Sequence, residues 1–275
     1  LITAISSGTV NLTASAAGDT DYSAASTTQV ITIGQSSQTL TITSADTMNV
    51  DGTLTATVVT TATGGRGGAI TFAITSGTGS ATVDATTGLI TAISSGTVNL
   101  TASAAGDTDY SAASTTQVIT IGQSSQTLTI TSADTMNVDG TLTATVVTTA
   151  TGGRGGAITF AITSGTGSAT VDATTGLITA ISSGTVNLTA SAAGDTDYSA
   201  ASTTQVITIG QSSQTLTITS ADTMNVDGTL TVTVITTATG GRGGAITFGI
   251  TPGTGSATVD ATTGLITAIS SGTVN

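Results

Sequence analysis

Short stretches of alternating apolar and polar residues run the length of the chain, and none shows a helical period. The stretch Gln35–Gly122 serves as a reference. Thr39–Thr43 (TLTIT) sets Leu40 and Ile42 on one face, and Thr53–Thr61 sets Leu54, Ala56 and Val58 against threonines. Ala69–Ser76 aligns Ile70, Phe72 and Ile74. Ala81–Val83 and Leu89–Ile93 flank the turn Asp84–Gly88 (DATTG). Thr97–Ala102 faces Val98, Leu100 and Ala102 inward, and Thr116–Ile121 closes the stretch with Val118, Ile119 and Ile121. This pattern predicts seven short strands of period two, bounded by Gly, Asp, Asn and Ser. Their Thr, Val and Ile are β-branched and disfavour helix. Strands apolar on one face pack best as two antiparallel sheets, so the expected class is all-β.

The pattern recurs because the sequence does. LITAISSGTVN begins at Leu1, Leu89, Leu177 and Leu265, so an 88-residue unit is copied a little more than three times. Four positions differ, all in the last copy: Val232 for Ala56 and Ala144, Ile235 for Val59 and Val147, Gly249 for Ala73 and Ala161, Pro252 for Ser76 and Ser164. A unit of that size suits one small sandwich with its own core. The strand frame divides the chain into residues 1–35, the last strands of a unit; Ser36–Gln123 and Ser124–Gln211, two complete units; and 212–275, the first strands of another. Both ends fall inside a unit. That favours a window on a longer array, with completion by neighbouring chains as the alternative.

Composition removes most chemistry. Cys, His and Trp are absent, as are Lys and Glu, and 3 Arg stand against 15 Asp for a net charge of −12. The usual general bases, thiolates, soft-metal ligands and Schiff-base amine are therefore missing, and no enzyme is expected. Nucleic acid and anionic membrane surfaces need clustered cations and are excluded as partners. No apolar run approaches the roughly 20 residues of a membrane helix, so direct insertion by this segment is not expected. Near-identical copies instead provide length, avidity or a lattice.

One stretch carries a resemblance. Ser80–Ala102 reads SATVDATTGLITAISSGTVNLTA, followed by Gly106–Tyr110 (GDTDY) and a closing VITI strand. This resembles the bacterial immunoglobulin-like domain, group 2, of invasin- and intimin-type surface proteins, and the likeness covers every repeat. It implies tandem immunoglobulin-like, seven-stranded antiparallel β-sandwiches in an extracellular or cell-surface bacterial protein, where such domains mostly act as spacers.

Two polar features stand out within a repeat. In GDTDY, Asp107 and Asp109, with Asp19, Asp21, Asp195 and Asp197 in the other copies, could donate oxygens to Ca²⁺. Alternatively, Asp caps the turn and Tyr110 anchors the loop to its sandwich. The linker Gly122–Gln126 (GQSSQ) carries no acid, which argues against calcium-stiffened junctions, and no other cofactor is expected. In TGGRGG, the lone cations Arg66, Arg154 and Arg242 could reach an Asp or a carbonyl of a neighbouring domain or chain, or stand solvated at a flexible loop tip. The expected function is structural: the shaft of a bacterial extracellular fibre, sheath or giant adhesin, with copies of itself as partner. The alternative is a module that binds glycan or a host receptor by avidity, a reading that exposed loop aromatics would support and that 2% aromatic content does not.

Overall fold

The computed structural model describes residues 1–275, apart from the side chains of Ser76, Thr163 and Ser164. It is all-β, with several small sheets and no helix among the described residues. Residues 1–35 form one hairpin, β1 (Gly8–Ala16) and β2 (Ala25–Ile33). Residues 36–123 contribute β3 (Leu40–Ile42), β4 (Thr47–Asn49), β5 (Thr53–Thr55), β6 (Val58–Thr60) and β7 (Ile70–Gly77). They continue with β8 (Ser80–Val83), β9 (Leu89–Ser94), β10 (Gly96–Ala104) and β11 (Ala113–Gly122). The sheets are β4-β11-β10-β7, β5-β9-β8 and β3-β6, and residues 124–211 repeat this order. Every strand pairing closes within one 88-residue unit in the frame that begins at Ser36.

The seven expected strands become nine in two ways. Thr47–Asn49, outside the seven expected strands, is a strand, and it runs parallel to β11. Three residues with one apolar side chain carry no visible period, and their strand character comes from the ready-made edge of β11. The second change is at Thr53–Thr61, expected as one strand. Its first half pairs with β9 and its second with β3, so the chain changes sheets at Ala56. There the Ala56 N–H donates to the Gly88 carbonyl at 2.9 Å, and Thr57 already accepts from the Thr43 N–H at 2.8 Å. Neither difference alters which side chains point inward.

Two layers share one core. Val98, Leu100, Ile119 and Ile121 from β10 and β11 meet Ile90 and Ala92 from β9, all nearly inaccessible, with Leu54, Phe72, Ile74 and Val83 packed around them. Val118, between Gln117 and Ile119 on β11, falls on the outward face and is exposed. Period two dictates this, since only alternate residues of a strand share a face. The equivalent core of residues 124–211 holds Ile178, Leu188 and Ile207 at 0% exposure.

Because the sheets close within each unit, damage to one core should stay local. Leu188→Ala is expected to cost its unit about 2–5 kcal/mol. Denaturant unfolding followed by residue-resolved hydrogen exchange should show residues 124–211 destabilised while 36–123 keep their protection.

Candidate functional site

Arg154 and its counterparts sit on a loop that the fold holds rigidly. In the 36–123 unit, Gln38 is buried and its Nε2 donates to the carbonyls of Gly67 (2.7 Å) and Ser111 (2.9 Å). The Gly67 N–H donates to Asp107 Oδ2 at 2.6 Å, and its carbonyl accepts from the Gly106 N–H at 3.1 Å. Gly67 and Gly68 take φ of +96° and +84°, and a Cβ on Gly68 would lie 2.5 Å from the Gly106 carbonyl oxygen. Only glycine accepts that combination cheaply. The Arg66 Nε–H then donates to the Thr63 carbonyl at 3.1 Å, which directs the guanidinium away from its own unit. The loop is therefore a clamp, and the flexible-tip reading of TGGRGG does not describe it.

A second rigid element faces this clamp from the preceding unit. The turn Asn49–Gly52 is pinned by Val50, which is buried and whose N–H donates to the Gly122 carbonyl at 3.0 Å. The Gly52 N–H closes the turn on the Asn49 carbonyl at 2.9 Å. Asp51 sits in the left-handed region at φ 61°, a conformation Asp tolerates better than most residues.

At the boundary between 36–123 and 124–211 the two elements meet. Arg154 Nη2 lies 2.8 Å from Asp51 Oδ1, and Thr151 Oγ1 donates to Asp51 Oδ2 at 2.8 Å. The Tyr198 hydroxyl donates to the same Oδ2. Arg154 Nη1 donates to the Ile93 carbonyl at 2.5 Å and lies 3.3 Å from Asp197 Oδ2, while its guanidinium stands 5.4 Å from the centre of the Tyr198 ring. A second strand of contacts runs alongside. The Ser95 N–H donates to Asp197 Oδ1 and its Oγ to the Thr196 carbonyl, both at 2.7 Å, and Gln123 Nε2 donates to the Asp195 carbonyl at 2.6 Å. Apolar contact completes the junction, because Tyr198 and Ala150 pack onto the core cluster of the preceding unit that contains Val50.

The electrostatics follow from these contacts. The Tyr198 hydroxyl first, then the Arg154 guanidinium and the Thr151 hydroxyl, hold the Asp51 carboxyl down at about 2. Asp51 in turn raises the Arg154 guanidinium. Asp195 is lowered chiefly by the Gly155 N–H, an intra-unit bond that supports the clamp.

The other boundaries carry parts of the same set. Arg242 Nη2 pairs with Asp139 Oδ1, and Thr239 Oγ1 donates to Asp139 Oδ2 at 2.8 Å. Arg66 Nη1 donates to the Ile5 carbonyl at 2.6 Å and the Ser7 N–H to Asp109 Oδ1 at 2.6 Å, with Asp109 Oδ2 3.3 Å from Arg66. The sequence pointed to the three arginines, and in the structure each contacts the preceding segment. Their partners escaped it: Asp51, Asp139, Thr151 and the Ile93 carbonyl. The one local signal was the Asp-Gly of NVDG, which reads as an ordinary turn.

Five of the six acids considered for calcium hold hydrogen bonds or an ion pair within the protein. Asp107 Oδ1 accepts the N–H groups of Asp109 and Tyr110 at 2.8 Å, and Asp195 does the same for Asp197 and Tyr198. Asp19 caps its turn through Asp21 and Tyr22 at 2.9 Å. Asp109 and Asp197 face arginine, and the Asp21 carboxylate lies exposed on the first hairpin. Among the described residues no group of three potential metal ligands comes together. The tyrosine hydroxyl meets a threonine of its own unit, Thr63 for Tyr110 and Thr151 for Tyr198. Tyr198, only 3% exposed, is covered both by its own unit and by the preceding one, against whose core cluster it packs. The chain matches no protein-family model and no curated protein sequence.

Asp51→Asn should loosen this junction by about 1 kcal/mol, since the pair is partly exposed and solvent screens it. The pH response has a definite sign. A carboxyl lowered by its partners stabilises the junction above the ordinary Asp value of about 4 and loses that contribution as pH falls toward about 2. Spin labels on either side of the 123/124 boundary should report an inter-unit distance distribution that broadens between about pH 4 and pH 2. In the Asn variant the distribution should already be broad and should stay flat over that window.

Proposed function

We propose that the chain is the repetitive shaft of a bacterial extracellular fibre, sheath or surface adhesin, built of tandem immunoglobulin-like sandwiches and acting without catalysis. The observation that carries this reading is the Asp51–Arg154–Tyr198 junction. It joins one unit to the next through residues that every repeat supplies. A spacer needs each unit fixed relative to its neighbour. Two pinned loops that meet in a charged, partly covered contact provide that.

Charge placement supports the same reading. All five acids of a repeat (Asp46, Asp51, Asp84, Asp107 and Asp109) lie in turns, which leaves the outer sheet faces uncharged and rich in threonine. Val59, Leu89, Ile93 and Val118 are exposed among those threonines. Such faces suit lateral contact with copies of the same chain, while net charge of one sign at the turns limits indiscriminate aggregation.

Cryo-electron microscopy of the native material tests the proposal. Straight filaments or rods whose axial repeat corresponds to one 88-residue unit are expected. Freely bending strings of beads would count against a stiff junction, and their stiffening is the property that Asp51→Asn should remove.

A further inference from the structure

The turn that presents Asp51 to Arg154 is built on a reactive dipeptide. Of the five acids in a repeat, only Asp51 is followed by glycine, and Asp139 and Asp227 repeat the pair. The fold requires both residues. Position 51 takes φ 61°, which Asp tolerates, and its carboxylate is the one that meets Arg154. At Gly52 a Cβ would lie 2.8 Å from the Asn49 carbonyl oxygen, a backbone atom of the same turn. Asp-Gly is also the sequence in which a main-chain nitrogen most readily reaches the preceding carboxyl, because glycine places no Cβ in the way.

We propose that Asp51–Gly52 is a site of spontaneous isomerisation to isoaspartate, and that the junction with the following unit suppresses it. The reaction starts from the neutral acid. The Gly52 nitrogen attacks Asp51 Cγ, and the new N–C bond closes a five-membered imide while the amide proton and the carboxyl hydroxyl leave as water. Water then adds back to the imide. Opening at Cγ restores Asp51. Opening at the main-chain carbonyl breaks the original peptide bond, so the chain runs through Cγ and the former main-chain carbonyl becomes a carboxylate. Mass and oxidation state are unchanged, and water is the only co-reactant.

Attack needs three freedoms that the joined structure withholds. The carboxyl must turn toward the Gly52 nitrogen, yet Arg154 Nη2 and Thr151 Oγ1 hold its two oxygens at 2.8 Å each, and the Tyr198 hydroxyl donates to Oδ2 as well. The carboxyl must be neutral, and the same donors hold it down at about 2. The Gly52 nitrogen must be free, yet its N–H donates to the Asn49 carbonyl at 2.9 Å. Flanking bonds to Ala92 on β9 pin the peptide further: the Asp51 N–H donates to its carbonyl at 3.2 Å, and its N–H donates to the Gly52 carbonyl at 3.0 Å. The third restraint belongs to the unit of Asp51, whereas the first two come from Thr151, Arg154 and Tyr198 of the next. Opening the junction therefore releases two of the three. The Asp51 side chain is 37% exposed, so water reaches the imide. Isomerisation adds a methylene to the main chain and shortens the side-chain arm, which takes the carboxylate away from Arg154 and Tyr198. Each joint of the shaft would then keep an irreversible record of its own opening, a consequence that rests on the reading proposed above.

Cleavage at the three arginines places Asp51, Asp139 and Asp227 on separate peptides, 1–66, 67–154 and 155–242, so each site is read alone. The unaltered chain and the double variant Thr151→Val/Tyr198→Phe, which removes two donors to Asp51 and keeps both shapes, are aged at neutral pH. After denaturation and cleavage, isoaspartate is counted by chromatographic separation and by the failure of an aspartate-directed protease to cut. Asp51 should isomerise about tenfold faster in the double variant than in the unaltered chain. Asp139, whose partners Thr239 and Arg242 are unaltered, should isomerise at the same rate in both. Arg154→Gln, read on peptide 1–66, should also raise the rate at Asp51. A synthetic peptide of residues 47–55, free of turn and junction alike, should react faster than any of these chains. Equal rates at Asp51 in the unaltered and variant chains would overturn the proposal. So would an equal rise at Asp139, which would signal general loosening of 124–211, or a rate in the unaltered chain matching that of the peptide. All of these readings come from the purified chain, so they stand apart from whether the native material forms rods.

Discussion

The pairing of Arg154 and Arg242 with a carboxylate of the repeat before, Asp51 and Asp139, is the constraint from which the arrangement of the units follows. An exposed ion pair between two mobile side chains contributes little, because solvent screens it and ordering it costs entropy. Here both partners are positioned before they meet. Gln126 and Asp195 hold the glycine loop that carries Arg154, and Val50 holds the turn that aims Asp51. Three donors then converge on one carboxylate, and the Tyr198 ring covers the guanidinium. Little further order is lost on contact, so the geometry of the joint is specified as well as its existence.

Each unit carries the two halves of this contact at different turns, Asp51 on one and Arg66 with Tyr110 on another. An interface of that kind is heterologous, and identical units joined through it continue indefinitely unless a rotation closes the ring. Near-identity of the copies makes every joint equivalent. The distribution of charge belongs to the same logic: the acids lie outside the strands, where Asp51 and Asp109 or their counterparts meet arginine, and the outward sheet faces are left neutral and rich in threonine.

The core was legible in the sequence because period two is a local property. Leu54, Ala56, Ile74, Val98 and Leu100 face inward as their alternation requires, and none needs knowledge of a distant partner. The strand at Thr47–Asn49 and the sheet change at Ala56 were not legible, since each is decided by which neighbour the backbone finds. The junction divides in the same way. A lone arginine among acids stands out in any repeat. Its partner Asp51 lies 103 positions from Arg154 and in another copy, so no local spacing joins them. The GDTDY acids drew attention as calcium ligands because their side chains are plain in the sequence, whereas the backbone N–H groups that occupy them are not.

The repeats make the chain its own control. Tyr22, Tyr110 and Tyr198 share identical flanking sequence, yet their rings run from largely exposed through half-buried to buried. Local sequence cannot produce that range, so the difference must come from what stands against each ring. Tyr198 has the core-anchored Asp51 turn of a complete preceding unit, Tyr110 has only a hairpin before it, and Tyr22 has neither that turn nor the rest of its own unit. The arginines follow the same order, with Arg154 less exposed than Arg66 or Arg242. At the one junction with a complete unit on each side, Tyr198 and Arg154 are both covered by residues of the preceding unit.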